Sequence, residues 1–322
     1  MSQSLAVGDP VARPAAAHER VAARDPRRAL QLALGALWLL DGMLQFQPSM
    51  FGHGFAQMLA GSAQGNPAVV ARPITWSAGL IGHHVVALNA IFAAIQLLLG
   101  LGIAWRPAVK FALAGSVAWS LAVWWLGEGL GGVLAGTASP VDGAPGAVLL
   151  YGLLAVLLWP ADRRSADRGP ADRGPAAPFT AARAVGRRVA QASWLVVWLS
   201  LAALALLPAS RALGRTIADT TPGEPAWLAW TDAHVATALT RHGLLAAVVL
   251  AVVFVVVASG TFLPRPAARA AIVLAVAVAA ALWLAQGLGG ILTGSATDPD
   301  TGPLFALLAL AFWPLASSTG QT

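Results

Sequence analysis

Long apolar runs broken by short polar punctuation make up most of this chain. Residues 243–263 (GLLAAVVLAVVFVVVASGTFL) carry no charged side chain, and roughly 18 or more consecutive apolar residues read as a membrane-spanning helix. The same pattern predicts spans near 29–48, 83–105, 108–128, 145–160, 188–208, 242–263, 267–287 and 303–318. The fourth and eighth are short for an apolar layer about 30 Å thick crossed at about 1.5 Å per residue. Both end in Trp-Pro (Trp159-Pro160 and Trp313-Pro314), which suits an aromatic belt at the membrane surface. Residues 51–62, 67–79 and 225–240 are apolar enough to lie on that surface as short roofing helices.

The pattern is written twice. GEGLGGVLAGTASPVDGAP (127–145) returns as AQGLGGILTGSATDPDTGP (285–303). Trp38 and Pro48 pair with Trp198 and Pro208, Arg106-Pro107 with Arg265-Pro266, and His83 with His242. A fixed period means one folding unit used twice. The expected architecture is an all-α integral membrane protein with eight transmembrane helices, built as two tandem, same-orientation four-helix repeats, 29–160 and 188–318. A basic tail (1–28), expected to be disordered, precedes them and a short tail (319–322) follows. The linker 161–187 holds ADRGP twice in tandem and is rich in Pro, Gly and charge, so it is expected to be flexible.

Charge sets the orientation. Only 11% of residues are charged and 57% are hydrophobic, with mean hydropathy +0.70, against about 25% charged in soluble domains. The net charge of +6 comes from arginines in the tail, the linker and the turns 106–110 and 265–269. Basic residues beside spans mark the cytoplasmic side, which puts both termini in the cytoplasm of a plasma membrane and the long loops outside. Four spans per unit give both units one orientation. No aromatics interleave the arginines, so a nucleic-acid partner is not expected. Residues 1–28 lack an apolar core and do not read as a cleaved signal peptide. The chain has no cysteine, which excludes disulfides, thiolate metal sites, iron–sulfur clusters and thiol redox chemistry.

Candidate chemistry emerges where the halves differ. The first half carries Asp41, Gln45, Asn89, Gln96, Ser116, Ser120 and Glu128 within or at the ends of its spans. Leu201, Ala205, Val248, Val255, Leu274, Val278 and Gln286 stand against them in the second. An ionisable side chain in a bilayer costs about 2.5–3.5 kcal/mol even on lenient scales. The second half avoids that cost on the same scaffold, so Asp41 and Glu128 are candidates for moving protons. Asp41 and Gln45 share one helix face, as do Asn89 and Gln96. With His53, His83, His84, Trp124 and Trp125 they could line an outward-facing pocket. The bland account is that amides and hydroxyls glue helices together at about 0.6 kcal/mol each, and that the repeated histidine caps a span. Otherwise His83, His84 and His242 would serve as ligands if a haem or metal is bound. The glycine-rich run 127–132 follows a membrane helix, not a strand, so it does not read as a dinucleotide site.

The stretch WLLDGMLQFQPSMF (38–51), with the later WWLGEGLGG and TASP segments, resembles a family of bacterial multi-pass integral membrane proteins. Each half also resembles a DoxX-type four-helix membrane unit in its layout. That resemblance implies membrane-bound redox work with a quinone or a membrane redox partner, and names no catalytic residue. The leading expectation is a small-ligand, quinone or redox-cofactor site in the outer half of the first unit. The alternatives are a proton-coupled transporter, or a non-catalytic scaffold subunit of a membrane complex. Substrate, cofactor and oligomeric state are not written in the sequence.

Overall fold

The computed structural model describes residues 25–160, 177–294 and 296–315. The first half runs α1 (Pro26–Leu44), α2 (His53–Gly61), α3 (Ala68–His83), α4 (Val85–Ala104), α5 (Val109–Leu126) and α6 (Ala147–Leu157). The second runs α7 (Ala182–Val185), α8 (Arg187–Ala205), α9 (Leu213–Thr220), α10 (Ala226–Ser259), α11 (Arg265–Ala285) and α12 (Thr301–Ala311). Among the described residues there is no strand, only an isolated antiparallel bridge between Phe179 and Pro314. Five helices, α4, α5, α8, α10 and α11, are long and apolar enough to cross a membrane. Large side chains on their outer faces, such as Leu98, Phe111, Val252 and Val273, are exposed, as expected where lipid replaces water. The chain is therefore a helical protein with the build of a membrane protein. The helices α6 and α12 have 11 residues each and reach roughly 16 Å. Both are buried on nearly every side, and loops complete the layer beyond them.

Small residues let the helices approach. In α1 and α4, a side chain at Gly35 would meet the Gly100 carbonyl at 3.0 Å, and one at Gly42 would meet Leu97 at 2.7 Å; close crossing at glycine is the usual device where lipid offers no hydrophobic drive. The end of this pair at the α1 N-terminus is tied by Arg28, which donates to the Ile103 carbonyl at 2.8 Å and to the Ala104 carbonyl. Those are orphan carbonyls at the last turn of α4. One aromatic core runs through the bundle: Trp38 on Tyr151 (4.1 Å), Trp198 on Phe305 (5.7 Å) and Trp194 on Phe312 (4.7 Å). The halves meet where α12 packs on α6 and α1.

Several expectations need correction. The tail to residue 24 and linker residues 161–176 lie outside the described residues. The rest of the linker is packed, not flexible: Phe179 and Ala181 are buried. The Ala181 N–H donates to the Ala311 carbonyl and the Leu315 N–H to the Pro178 carbonyl. Spans read as separate from surface helices merge in the second half, where α10 runs 34 residues through a break at His242. Against Asn89 and Gln96 the sequence set Val248 and Val255, which are exposed; the buried positions are their neighbours Ala247 and Phe254. For Ser116 and Ser120 the fully buried positions are likewise Ala275 and Ala279. The contrast of polar against apolar survives this one-residue shift.

Candidate functional site

The site begins on one face of α1. Trp38, Asp41 and Gln45 follow each other at helical spacing and are all buried. The Tyr151 hydroxyl, from α6, donates to Asp41 Oδ1 at 2.7 Å. The Tyr151 ring lies against Trp38, whose Nε1 donates to Ser116 Oγ at 2.9 Å. Asn89 Nδ2 donates to the Gln45 carbonyl at 2.8 Å and so fixes the outer end of α1 against α4.

A loop from the second half closes over this end. Gln45 Nε2 donates to the Thr297 carbonyl (3.3 Å), Gln47 Nε2 to the Ala296 carbonyl (3.0 Å) and Ser49 Oγ to the Gly294 carbonyl (3.4 Å). Asp298 is held beside the site by the hydroxyl of Thr297 at 3.0 Å and the N–H of Asp300 at 2.7 Å. The arrangement is reciprocal, since Gln286 Nε2 donates to the Pro140 carbonyl of the first half at 3.3 Å.

Glu128 sits just beyond α5, before a turn in which Leu130 takes left-handed angles (φ 59). Its Oε1 accepts the Val148 N–H at 3.1 Å. That N–H is one of the orphan donors at the start of α6, where a carboxylate is favoured. Oε2 is closed from solvent and has no partner. Gly146 makes the room: with φ 112 it has a glycine conformation, and a Cβ there would collide with Oε2. Burial pushes Glu128 well above the usual carboxylate range, and Asp298 adds to this, while the Val148 N–H pulls the other way. Burial also raises Asp142 and Asp298. It lifts Asp300, with help from Asp298, to about 7.

Two adjoining cavities result. The outer one, about 410 Å³, is lined by Gln64, Asn66, Glu128, Asp142, Asp298 and Asp300 among others. The inner one, about 530 Å³, has apolar walls from Phe55, Leu59, Ile81 and Phe92, and polar groups from Asp41, Gln45, Gln96, Trp119, Glu128 and Tyr151. Met58, Ser62, Glu128, Thr297 and Asp298 border both. Lining residues that stay exposed, Met58, Trp76, Leu80 and Ala122, mark a lateral opening between the roof helices and α5. The inner cavity separates a small roof cluster (Met50, Phe55, Leu59, Ala78, Ile81) from the main core. In the second half, Leu213 and Ile217 of α9 belong to the main core itself.

Asp41, Gln45 and Glu128 are thus brought together as the sequence suggested, while Asn89 braces α1 from outside the cavity lining. The histidines are not brought in: His53, His83, His84 and His242 are exposed and line neither cavity. The repeated histidine marks a backbone break. His84 (φ −134, ψ 35) and His242 (φ −130, ψ 29) have the same angles, so His84 rather than His83 is the conformational counterpart of His242. Trp124 spends its N–H on the Pro145 carbonyl at 2.8 Å, and Trp125 is exposed. Among the described residues no three His, Asp or Glu side chains are grouped as a metal would need. No histidine lines either cavity, so the imidazole ligation expected for a haem is not offered there. Sequence reasoning missed Tyr151, Trp38, Trp119 and Asp298. Tyr151 is the single tyrosine in the chain, and Asp298 stands where the first half has Pro140, so both left a signal. Comparisons with family models, curated proteins and solved structures found no match for this chain.

Proposed function

We propose that the protein is a plasma-membrane protein whose first half binds a small, largely apolar molecule in the inner cavity. The binding reading rests on one observation: Asp41 on α1 and Glu128 just beyond α5 line one cavity that also opens sideways through exposed apolar residues. At about 530 Å³ it lies within the roughly 300–1,000 Å³ of small-molecule sites, which are mostly apolar with a few placed polar groups. A quinone, which the DoxX-like layout implies, suits such a cavity: Trp119 Nε1 is a buried donor with no partner, able to meet a carbonyl oxygen. Asp41 and Glu128 would then exchange its protons.

The wider frame of the proposal is eight spans in two like-oriented four-helix units, with both termini cytoplasmic. Matching backbone angles support it. Leu130 and Leu288 are left-handed alike (φ 59 and 55), inside the GLGG turns of the two halves. The basic side chains Arg28, Arg106, Lys110, Arg187 and Arg265 sit at the ends of helices opposite the acidic loops, which suits a cytoplasmic face.

Proton-coupled transport is the second reading. It is favoured by acids at successive depths, from Asp300 and Asp298 through Glu128 to Asp41. Binding is preferred because below Asp41 the Trp38–Tyr151 stack and fully buried Leu34, Ile103 and Leu113 leave no path onward. Native mass spectrometry of protein extracted in mild detergent tests the proposal. Wild type should carry a small molecule that Ala122→Trp, which fills the opening, does not. Equal mass spectra for both proteins would count against it.

A further inference from the structure

The charge balance of the two cavities is one-sided. Asp41, Glu128, Asp298 and Asp300 border them, yet no Lys, Arg or His is among the lining residues. A buried carboxylate without a counter-charge is unstable, so it must hold a proton or face a cation. The unmet polar atoms tell the same story. Gln45 Oε1, Gln96 Oε1 and Glu128 Oε2 are buried acceptors without partners, and both glutamines are more than nine-tenths buried. All three residues line the inner cavity. The walls are aromatic as well: Trp38, Phe55, Trp76, Phe92 and Trp119. Aromatic faces with nearby acceptors are how proteins hold organic ammonium groups.

We propose that the occupant of the inner cavity is an amphipathic organic cation, an amine or quaternary ammonium on an apolar body, that enters from the outer leaflet and displaces a proton. The proposal rests on the binding reading above and puts one cationic ligand class in place of the quinone. The apolar body lies among Phe55, Leu59, Phe92 and Trp119, with the charged end toward Glu128 and Asp41. As the cation arrives, the Glu128 carboxyl gives its proton to the outer solution by way of the polar outer cavity, so charge inside is conserved. The groups facing Glu128 are Val148 N–H from α6, Asp298 and Asp300 from the second-half loop, and Asp41 with Tyr151 below. None of them is cationic. In the second half Glu128 is answered by Gln286 and Asp41 by Leu201, so the equivalent positions there are not expected to form a second copy of this site.

The test uses full-length protein in lipid nanodiscs and two probes of one shape: benzyltrimethylammonium and its uncharged carbon isostere, neopentylbenzene. Titration is followed by calorimetry and by a pH indicator in weak buffer. The cation should bind at least tenfold more tightly than the isostere and release up to one proton per site. Glu128→Gln, the residue the second half already uses, should weaken cation binding at least tenfold and remove the proton signal. Gln96→Leu should weaken the cation without changing proton release. Equal binding of both probes would overturn the cation assignment and leave the binding reading standing. Failure of both probes, or cation binding indifferent to Glu128→Gln and Asp41→Asn, would overturn the assignment too. The native mass comparison of wild type with Ala122→Trp then decides whether the cavity binds at all.

Discussion

Tyr151 donates its phenolic hydrogen to Asp41 Oδ1 across 2.7 Å, in a place where both side chains are almost wholly buried. The pair joins the outer end of α1 to α6. It also supplies the floor of the inner cavity, beside the Trp38 ring. At corresponding depths of the second half, Leu201 and Phe305 are buried, so the same packing is achieved there without polar atoms.

That relationship fixes the outcome of a mutant cycle. Tyr151→Phe leaves Asp41 without its donor and should cost about 1–3 kcal/mol, because an unsatisfied buried acceptor bears its full desolvation penalty. Asp41→Leu should cost a similar amount by stranding the hydroxyl. The double variant, which copies Leu201 and Phe305, should be nearly as stable as wild type. Thermal unfolding in detergent gives the comparison; additive losses would mean that the two groups are not coupled.

Gly146 should not tolerate alanine. At φ 112, with Glu128 Oε2 where the Cβ would go, Gly146→Ala should lose about 1–3 kcal/mol. The control is Gly54→Ala, in exposed α2 with nothing within 4 Å of the new carbon. It should be neutral or stabilise by about 0.4–1 kcal/mol. Chemical unfolding of both variants beside wild type measures this.

Stability should fall as pH rises from about 4 to about 7. Asp300 is raised to about 7 when folded and sits near 3.9 when unfolded. Between those values the folded state holds a proton that the unfolded state has released. Folding is therefore favoured at the acid end, and the advantage is lost as pH climbs toward 7. The slope is at most about 1.4 kcal/mol per pH unit, and less because the Asp300 side chain is only partly buried. Glu128, also raised, has the same sign. Asp300→Asn keeps the side-chain size and the cap to the Thr301 N–H. It should flatten the melting profile between about pH 4 and pH 7; an unchanged slope would clear Asp300 of the role.

Much of this site was legible before the fold. Asp41, Gln45 and Glu128 stood out because a second copy of the scaffold does without them, and polar groups in a bilayer are costly. The comparison ran one way only, from polar residues in the first half to apolar ones in the second. It therefore passed over Asp298, which faces Pro140. Tyr151 hid within an apolar helix because its ring fills the same space as Phe305. The histidines misled for a different reason. Their positions fall at a helix end or break, but side-chain direction at a break depends on backbone angles that no spacing encodes. The short helices α6 and α12 were recognised as short, while the loops that pack beyond them, and exchange contacts between halves, depend on long-range contacts.

The central claim is that Gln96, deep between the helices, borders an open cavity, whereas Ser116, also buried, does not. The chain has no cysteine of its own, so single cysteines can report this. Gln96→Cys and Ser116→Cys, each in membranes, would be treated with a small lipophilic maleimide, and the mass gain followed in time. The account requires that Gln96→Cys is modified, that adding Ala122→Trp slows the reaction at least tenfold, and that Ser116→Cys stays unmodified. A Gln96→Cys protein as inert as Ser116→Cys would contradict it.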